Sequence, residues 1–137
     1  MAHFWLIKSE PWKYSWDDLL RDGETVWDGV RNHRAANNLR AMEVGDKCFY
    51  YHSNKGLEIV GIAQVSATGL IDPTDAEGKW PTVKVQPVEP LQNPVTLKAI
   101  KANPALEAIE LVRLGRLSVA VIEPGEWDEI VRMSREA

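Results

Sequence analysis

An α+β domain, with a strongly curved, mostly antiparallel β-sheet flanked by short helices, is the architecture that accounts best for this chain. Segments of strand character outnumber those of helical character, and the turns joining them are short. Gly61 stands inside an otherwise continuous strand-like run, Leu57 to Val65, where a missing side chain marks a bulge or bend that curls a sheet toward a barrel.

The first strand covers His3 to Lys8, with Phe4, Trp5, Leu6 and Ile7 apolar in succession, and both its faces are expected to be buried. Pro11 removes a ladder donor beyond it. Ser15-Trp16-Asp17-Asp18 has capping-box spacing with Asp in place of Glu or Gln, and Asp22-Gly23 stops a short helix whose buried side is Trp16, Leu19 and Leu20. Asn32 is placed to cap a second helix, with Ala35, Ala36, Leu39 and Met42 as its apolar side. Val44-Gly45-Asp46 turns into Lys47 to His52, which is rich in β-formers, and Ser53-Asn54-Lys55-Gly56 turns back into the Leu57 to Val65 strand.

Residues 66–79 carry the loop formers Asp72-Pro73 and Gly78, and Trp80 to Gln86 alternates as a further strand. Pro87, Pro90 and Pro94 then punctuate a connector. Thr96 and Asn103 read as helix N-caps, with Pro104 in the favoured first helical position, predicting short helices over 97–102 and 104–110. Arg116 to Ile122 is the last strand, and Pro124-Gly125 opens a terminal helix with Trp127, Ile130 and Val131 on its inner side.

Length and composition limit what such a chain does. With 137 residues, 45% of them hydrophobic and 26% charged, residues 1–137 are expected to form one domain around one core. No run approaches the roughly 18 uninterrupted apolar residues of a membrane span. The start, Met1-Ala2-His3-Phe4-Trp5, lacks the basic residues and cleavage site of a signal peptide, so a cytoplasmic location is expected. Cys48 is the sole cysteine and sits in an apolar run, which suits core packing. His3, His33 and His52 stand far apart, and neither a metal nor a cofactor is expected. A pI near 5.4 argues against coating nucleic acid through bulk charge, and leaves room for a local basic patch.

That patch is visible. Between Gly29 and Met42 lie Arg31, His33, Arg34 and Arg40 with no acidic residue, in a chain of formal net charge −4. The run begins at Trp27-Asp28-Gly29, an indole followed by a turn. Phosphate loops, dinucleotide fingerprints, nucleophile elbows and zinc-protease motifs are all absent. What remains is a set of polar clusters at strand ends: Lys8-Ser9-Glu10, Arg31-Asn32, Tyr51-His52-Ser53-Asn54 and Arg116-Leu117-Ser118. A curved sheet brings such clusters around one cavity. An indole wall with amide, hydroxyl and backbone groups at the rim suits an unstacked base, whose face stacks and whose edge is read by fixed donors and acceptors. Trp27 is the stacking candidate. Arg31 lies three residues from Asp28 and is expected to be held by it, whereas Arg34, without an acidic neighbour in sequence, is expected to face phosphate. Each residue also has an ordinary structural use: Trp27 as core, the arginines as solvated surface, Tyr51 to Ser53 as turn residues.

Taken in order, Trp5-Leu6-Ile7-Lys8-Ser9-Glu10-Pro11, Tyr14-Ser15-Trp16-Asp17-Asp18-Leu19, Trp27-Asp28-Gly29-Val30-Arg31-Asn32, Tyr51-His52-Ser53-Asn54, Pro94-Val95-Thr96-Leu97 and Arg116-Leu117-Ser118-Val119 resemble the EVE domain family over nearly the whole chain. The resemblance implies a PUA-like pseudo-barrel, related to the YTH domains that recognise methylated adenine in RNA. It also implies that the domain reads a modified base, methylated or hydroxymethylated for example, in DNA or RNA. Matched residue by residue, the expected lining is Lys8, Ser9, Glu10, Trp27, Val30, Arg31, Asn32, Tyr51, His52, Ser53, Arg116, Leu117 and Ser118, with Trp12 or Trp80 as a second aromatic wall. His33-Arg34 departs from the family pattern, where an aromatic residue or glutamine is common. Two other functions stay open at this level: hydrolysis of modified nucleosides through Lys8, Ser9 and Glu10, as in the ASCH-type amidohydrolases, and a protein-interaction module. The oligomeric state is not legible in the sequence.

Overall fold

The computed structural model describes residues 3–136, so Met1 and Ala2 of the N-terminal signal reading fall outside it. Six strands form one sheet: β1 (Phe4–Ser9), β2 (Thr25–Val26), β3 (Lys47–His52), β4 (Glu58–Ile71), β5 (Pro81–Thr96) and β6 (Val119–Ile122), in the order β2-β5-β4-β3-β1-β6. Only β1 and β3 run parallel; the other pairs are antiparallel. Around them lie α1 (Trp16–Asp22), α2 (His33–Ala41), α3 (Leu97–Lys101), a 3-10 turn (Pro104–Leu106), α4 (Glu110–Arg113) and α5 (Pro124–Ser134). Helix α2 packs against both β5 and β6, which stand near opposite ends of the strand order, so the sheet curls until one helix reaches both sides. It does not close, since β2 and β6 share no ladder. The curvature is as expected, and the barrel stays open.

Adjacent residues of β3 show how one strand packs on both its faces. Phe49 stacks on Trp127 of α5, with ring centroids 3.8 Å apart, while Tyr50 on the opposite face meets the edges of Trp16 and Trp27 at 5.6 and 5.5 Å. Leu6, Ile7, Phe49, Tyr50 and Cys48 are all fully buried, and burial pushes the Cys48 thiol up, away from any reactive thiolate. Gly61 is needed for contact rather than for turn geometry. A Cβ there would stand 2.6 Å from the Trp16 indole, and the chain bulges beside it, between Tyr50 and Tyr51 on one side and between Ile59 and Gly61 on the other.

The caps form as expected. Ser15 and Asp18 make a reciprocal capping box at α1, and Asn32, Thr96 and Asn103 accept from Ala35, Ala99 and Ala105 N–H groups. Five expectations need correction. Leu20 is exposed, because α1 turns only Trp16 and Leu19 inward. Strand β4 continues to Ile71 where a loop was expected, pairing out to Pro81 of β5. The prolines 87, 90 and 94 lie within β5 rather than in a connector; beyond Val85 that strand has β4 on one side only, and an edge tolerates residues without an N–H. The helix expected at 104–110 is a 3-10 turn followed by α4, and β6 begins only at Val119. The outer edge of β6 is covered: Asn38 Nδ2 donates to Val119 O at 2.7 Å and Val121 N–H donates to Glu110 Oε1 at 2.9 Å.

Candidate nucleic-acid interface

Because β1 and β3 are parallel, their C-terminal ends, Ser9 and His52, lie side by side. A cavity of about 920 Å³ opens there. The chain supplies its walls in four pieces. Strand β1 and the turn after it give Lys8, Ser9, Glu10, Lys13 and Tyr14; β2 and the loop into α2 give Thr25 to Asn32; the end of β3 gives Tyr51, Ser53 and Asn54; the helical segment before β6 gives Leu97, Lys101, Leu111, Val112, Gly115, Arg116 and Ser118. Five cations (Lys8, Lys13, Arg31, Lys101, Arg116) face two carboxylates (Glu10, Asp28), so the cavity is basic in an acidic chain.

Trp27 belongs to both core and cavity. It is only 7% exposed, its edge contact with Tyr50 fixes the ring, and its backbone is tied to β5 on both sides: N–H to Val83 O at 2.9 Å, and the Thr82 hydroxyl to Trp27 O. What remains uncovered lines the cavity. Gly29, with φ of 83°, reverses the chain after Asp28 in a conformation that strains residues with a Cβ.

Arg31 is held, though not by Asp28. Asp72, 1% exposed, receives Arg31 Nη1 at 2.9 Å and Gly29 N–H at 2.7 Å on one oxygen, and Thr74 N–H and Oγ1–H at 2.7 and 2.6 Å on the other. Burial alone would raise its carboxyl; the hydrogen bonds from Thr74, Arg31 and Gly29 overcome it and bring the carboxyl down to about 2. Arg31 also lies 5.7 Å from the Trp80 ring, on which His33 stacks at 5.1 Å. Trp80 therefore buttresses Arg31 and does not line the cavity, and Trp12, 62% exposed on the turn after β1, does not line it either.

Lys8 Nζ donates to Gly115 O at 2.8 Å and sits 5.9 Å from the Tyr51 ring, and burial lowers its pKa. Glu10 pairs with Lys13 at 3.3 Å, and Ser9 Oγ meets Glu10 O at 3.5 Å. Lys8 and Glu10 are thus engaged elsewhere, and no hydrogen bond joins the three side chains to one another. Asn32 lines the cavity while its Oδ1 caps α2, which leaves its Nδ2 donors uncommitted among the described residues. Leu117 is buried and faces a second, smaller hollow. Arg34, expected to face phosphate, pairs with Glu110 at 3.3 Å across 76 residues.

His52 points away from the cavity: its Nε2 accepts the Trp16 N–H at 3.0 Å. Burial lowers its pKa below the ordinary 6.5, although Glu58 and Asp17 pull the other way. The unfolded chain therefore takes up this proton first, and folding stability should fall as pH drops through about 6.5, then level off below the folded value. Urea denaturation at pH 8 and pH 5 checks this. The stability advantage of wild type over His52→Gln, whose amide oxygen still accepts from Trp16, should shrink at pH 5; a constant difference removes His52 from the acid response.

Motif residues were thus the accessible part of the lining. Lys101 closes a helix that was expected but given no site role, Leu111 and Val112 come from α4, which was not foreseen as a separate helix, and all three were missed, as was Asp72, whose Asp72-Pro73-Thr74 turn gave a local signal but no hint of its distant partner. Among the described residues, no group of three or more His, Cys, Asp or Glu side chains is placed to hold a metal, and no helix is long and apolar enough to cross a membrane.

A curved open sheet with a basic cavity at its parallel strand ends defines a PUA-like domain. The chain belongs to the EVE domain family, whose family model matches residues 3–133. It is 33% identical to rat thymocyte nuclear protein 1 over 97% of this chain and 74% of that protein. Among solved structures, it resembles a protein of Agrobacterium tumefaciens at 48% identity with a TM-score of 0.95, covering 98% of this chain and 94% of that one. It also resembles human THYN1 in complex with 5-methylcytosine-containing DNA, at 29% identity and a TM-score of 0.92, covering 99% of each chain. An ASCH protein of Zymomonas mobilis, 11% identical with a TM-score of 0.58 over 96% of this chain and 95% of that one, shares the fold.

Proposed function

We propose that the protein is a reader of modified bases: it takes one base of a nucleic-acid strand into the 920 Å³ cavity and holds it there without chemistry. The observation that carries this is the lining itself, a fixed indole beside uncommitted amide donors and an excess of cations in a chain of net charge −4. The volume falls within the range of small-molecule sites, roughly 300–1,000 Å³. Trp27 gives the stacking surface, Asn32 and the Ser9, Ser53 and Ser118 hydroxyls meet the base edge, and Arg31, held by Asp72, stiffens the wall. Arg34 contributes to phosphate attraction from outside the cavity. The reader works in the cytoplasm.

Hydrolysis is the poorer account, because Lys8 and Glu10 engage Gly115 and Lys13 and neither side chain bonds the Ser9 hydroxyl, leaving the hydroxyl without a base and the base without an orienting group. A protein-interaction module has no use for a deep basic cavity beside a buried indole.

The test is a salt-controlled titration of DNA and RNA oligonucleotides carrying one modified base each, with plain strands and free nucleosides alongside. DNA with 5-methylcytosine is the first probe, given the ligand held by human THYN1. One mark should bind about ten-fold tighter than its plain counterpart, a difference of ~1.4 kcal/mol. Equal affinity for every marked and plain strand overturns the reader function, and release of a product from a modified nucleoside overturns the absence of chemistry.

A further inference from the structure

Beside the main cavity lies a second hollow of about 350 Å³, lined by Asn32, Arg34, Leu114, Gly115, Arg116 and Leu117. Asn32, Gly115 and Arg116 line both hollows, so they form the partition between them. The two cations of the second hollow are not equivalent. Arg34 is paired with Glu110, whose carboxylate also meets Arg113 at 3.7 Å and the Val121 N–H. Arg116, exposed on the partition, makes no ion pair among the described residues.

We infer that the second hollow is the subsite for the nucleotide adjoining the modified one, and that Arg116 binds the phosphate that links the two. This rests on the base-reading function and adds to it a footprint of two consecutive nucleotides. Consecutive nucleotides of a strand are joined by one phosphate, so a cation on the wall between two adjacent nucleotide-sized hollows meets that phosphate when both are filled. Leu114, half-buried over the buried Leu117, offers the neighbouring sugar or base an apolar contact that needs no sequence preference. Asn32, with Oδ1 fixed by the helix cap, presents its Nδ2 donors at the same partition. Arg116 thereby fixes the register of the strand, and Arg34, neutralised by Glu110, acts only as part of the surrounding field.

The experiment removes the phosphate charge from the ligand and the cation from the protein, separately and together. Oligonucleotides with a single 5-methylcytosine, and their plain counterparts, are made with one uncharged methylphosphonate linkage either 5′ or 3′ of that position. Wild type should lose about ten-fold in affinity for one of the two linkages and little for the other. Arg116→Gln should lose about as much on the all-phosphate strand, more than Arg34→Gln does, and should then lose less than about two-fold further from the sensitive methylphosphonate. If that linkage weakens Arg116→Gln as much as wild type, or if neither linkage matters, the assignment of Arg116 is overturned. Equal binding of marked and plain strands overturns base reading instead, and the coupling between linkage and Arg116 is still measured on both.

Discussion

Trp27→Ala is expected to lower the unfolding free energy by about 4 kcal/mol, the usual cost of emptying a buried tryptophan site. The indole is 7% exposed, its ring is pinned edge-on by Tyr50, and its own backbone is tied to Thr82 and Val83, so the surroundings have little freedom to collapse into the space. A second loss is expected in the protein that remains folded: binding of the modified nucleoside should weaken by roughly 1–3 kcal/mol, the value of one base–aromatic stack. Urea denaturation at a fixed m-value gives the first quantity, and nucleoside titration of the folded variant gives the second. Trp27→Phe, which keeps an aromatic face in the core, should recover most of the stability and part of the affinity. A stability loss below about 1 kcal/mol would deny the indole its core role. A full stability loss with unchanged nucleoside affinity would make Trp27 core alone.

This double use explains why the residues alone favoured core for Trp27 and only the family resemblance brought it to the cavity: a tryptophan after Val26 is packed like core and faces the cavity with what is left. Elsewhere, local physics was enough. The caps at Ser15, Asn32, Thr96 and Asn103 are decided by three or four residues each, and all four form. Gly61 was recognisable as a bend, but its cause, the Trp16 indole 45 residues earlier, is a tertiary contact. Strand β5 was cut short because proline forbids a ladder bond only where a partner strand exists, and the sequence does not say which side of a strand is an edge.

The cavity lining follows the same division. Residues in motifs at strand ends converge because β1 and β3 are parallel and end together, whereas side-chain direction depended on details the motifs do not carry. His52 follows Tyr51, and the alternation along a strand sends its ring to Trp16 while Tyr51 faces Lys8. Charge pairing was the least legible. Asp28 is near Arg31 in sequence yet lines the cavity, and the carboxylates that hold Arg31 and Arg34 come from 41 and 76 residues away.

Asp72→Asn should be the most damaging polar substitution, costing about 3 kcal/mol at pH 7. Each carboxylate oxygen accepts from two donors: Arg31 Nη1 and Gly29 N–H on one, the Thr74 N–H and hydroxyl on the other. In either amide orientation, asparagine turns an NH2 group toward one of these pairs, so two donors lose their acceptor in a site that is 1% exposed. The effect has a pH signature. With the folded carboxyl at about 2 and the ordinary value at 3.8, Asp72 contributes stability that is fully present above about pH 5 and is lost as pH falls through its folded pKa. That part is worth about 2 kcal/mol, since a tenfold change in proton affinity corresponds to about 1.4 kcal/mol. Denaturation of wild type and Asp72→Asn at pH 7, 4 and 2.5 should show the gap between them narrowing steadily, and modified-nucleoside binding should weaken at pH 7 because Gly29 and Arg31 lose their anchor in the cavity wall. A gap that stays constant from pH 7 to pH 2.5 would show that the charge of Asp72 contributes nothing to folding, and intact nucleoside binding would show that the cavity wall keeps its shape without it.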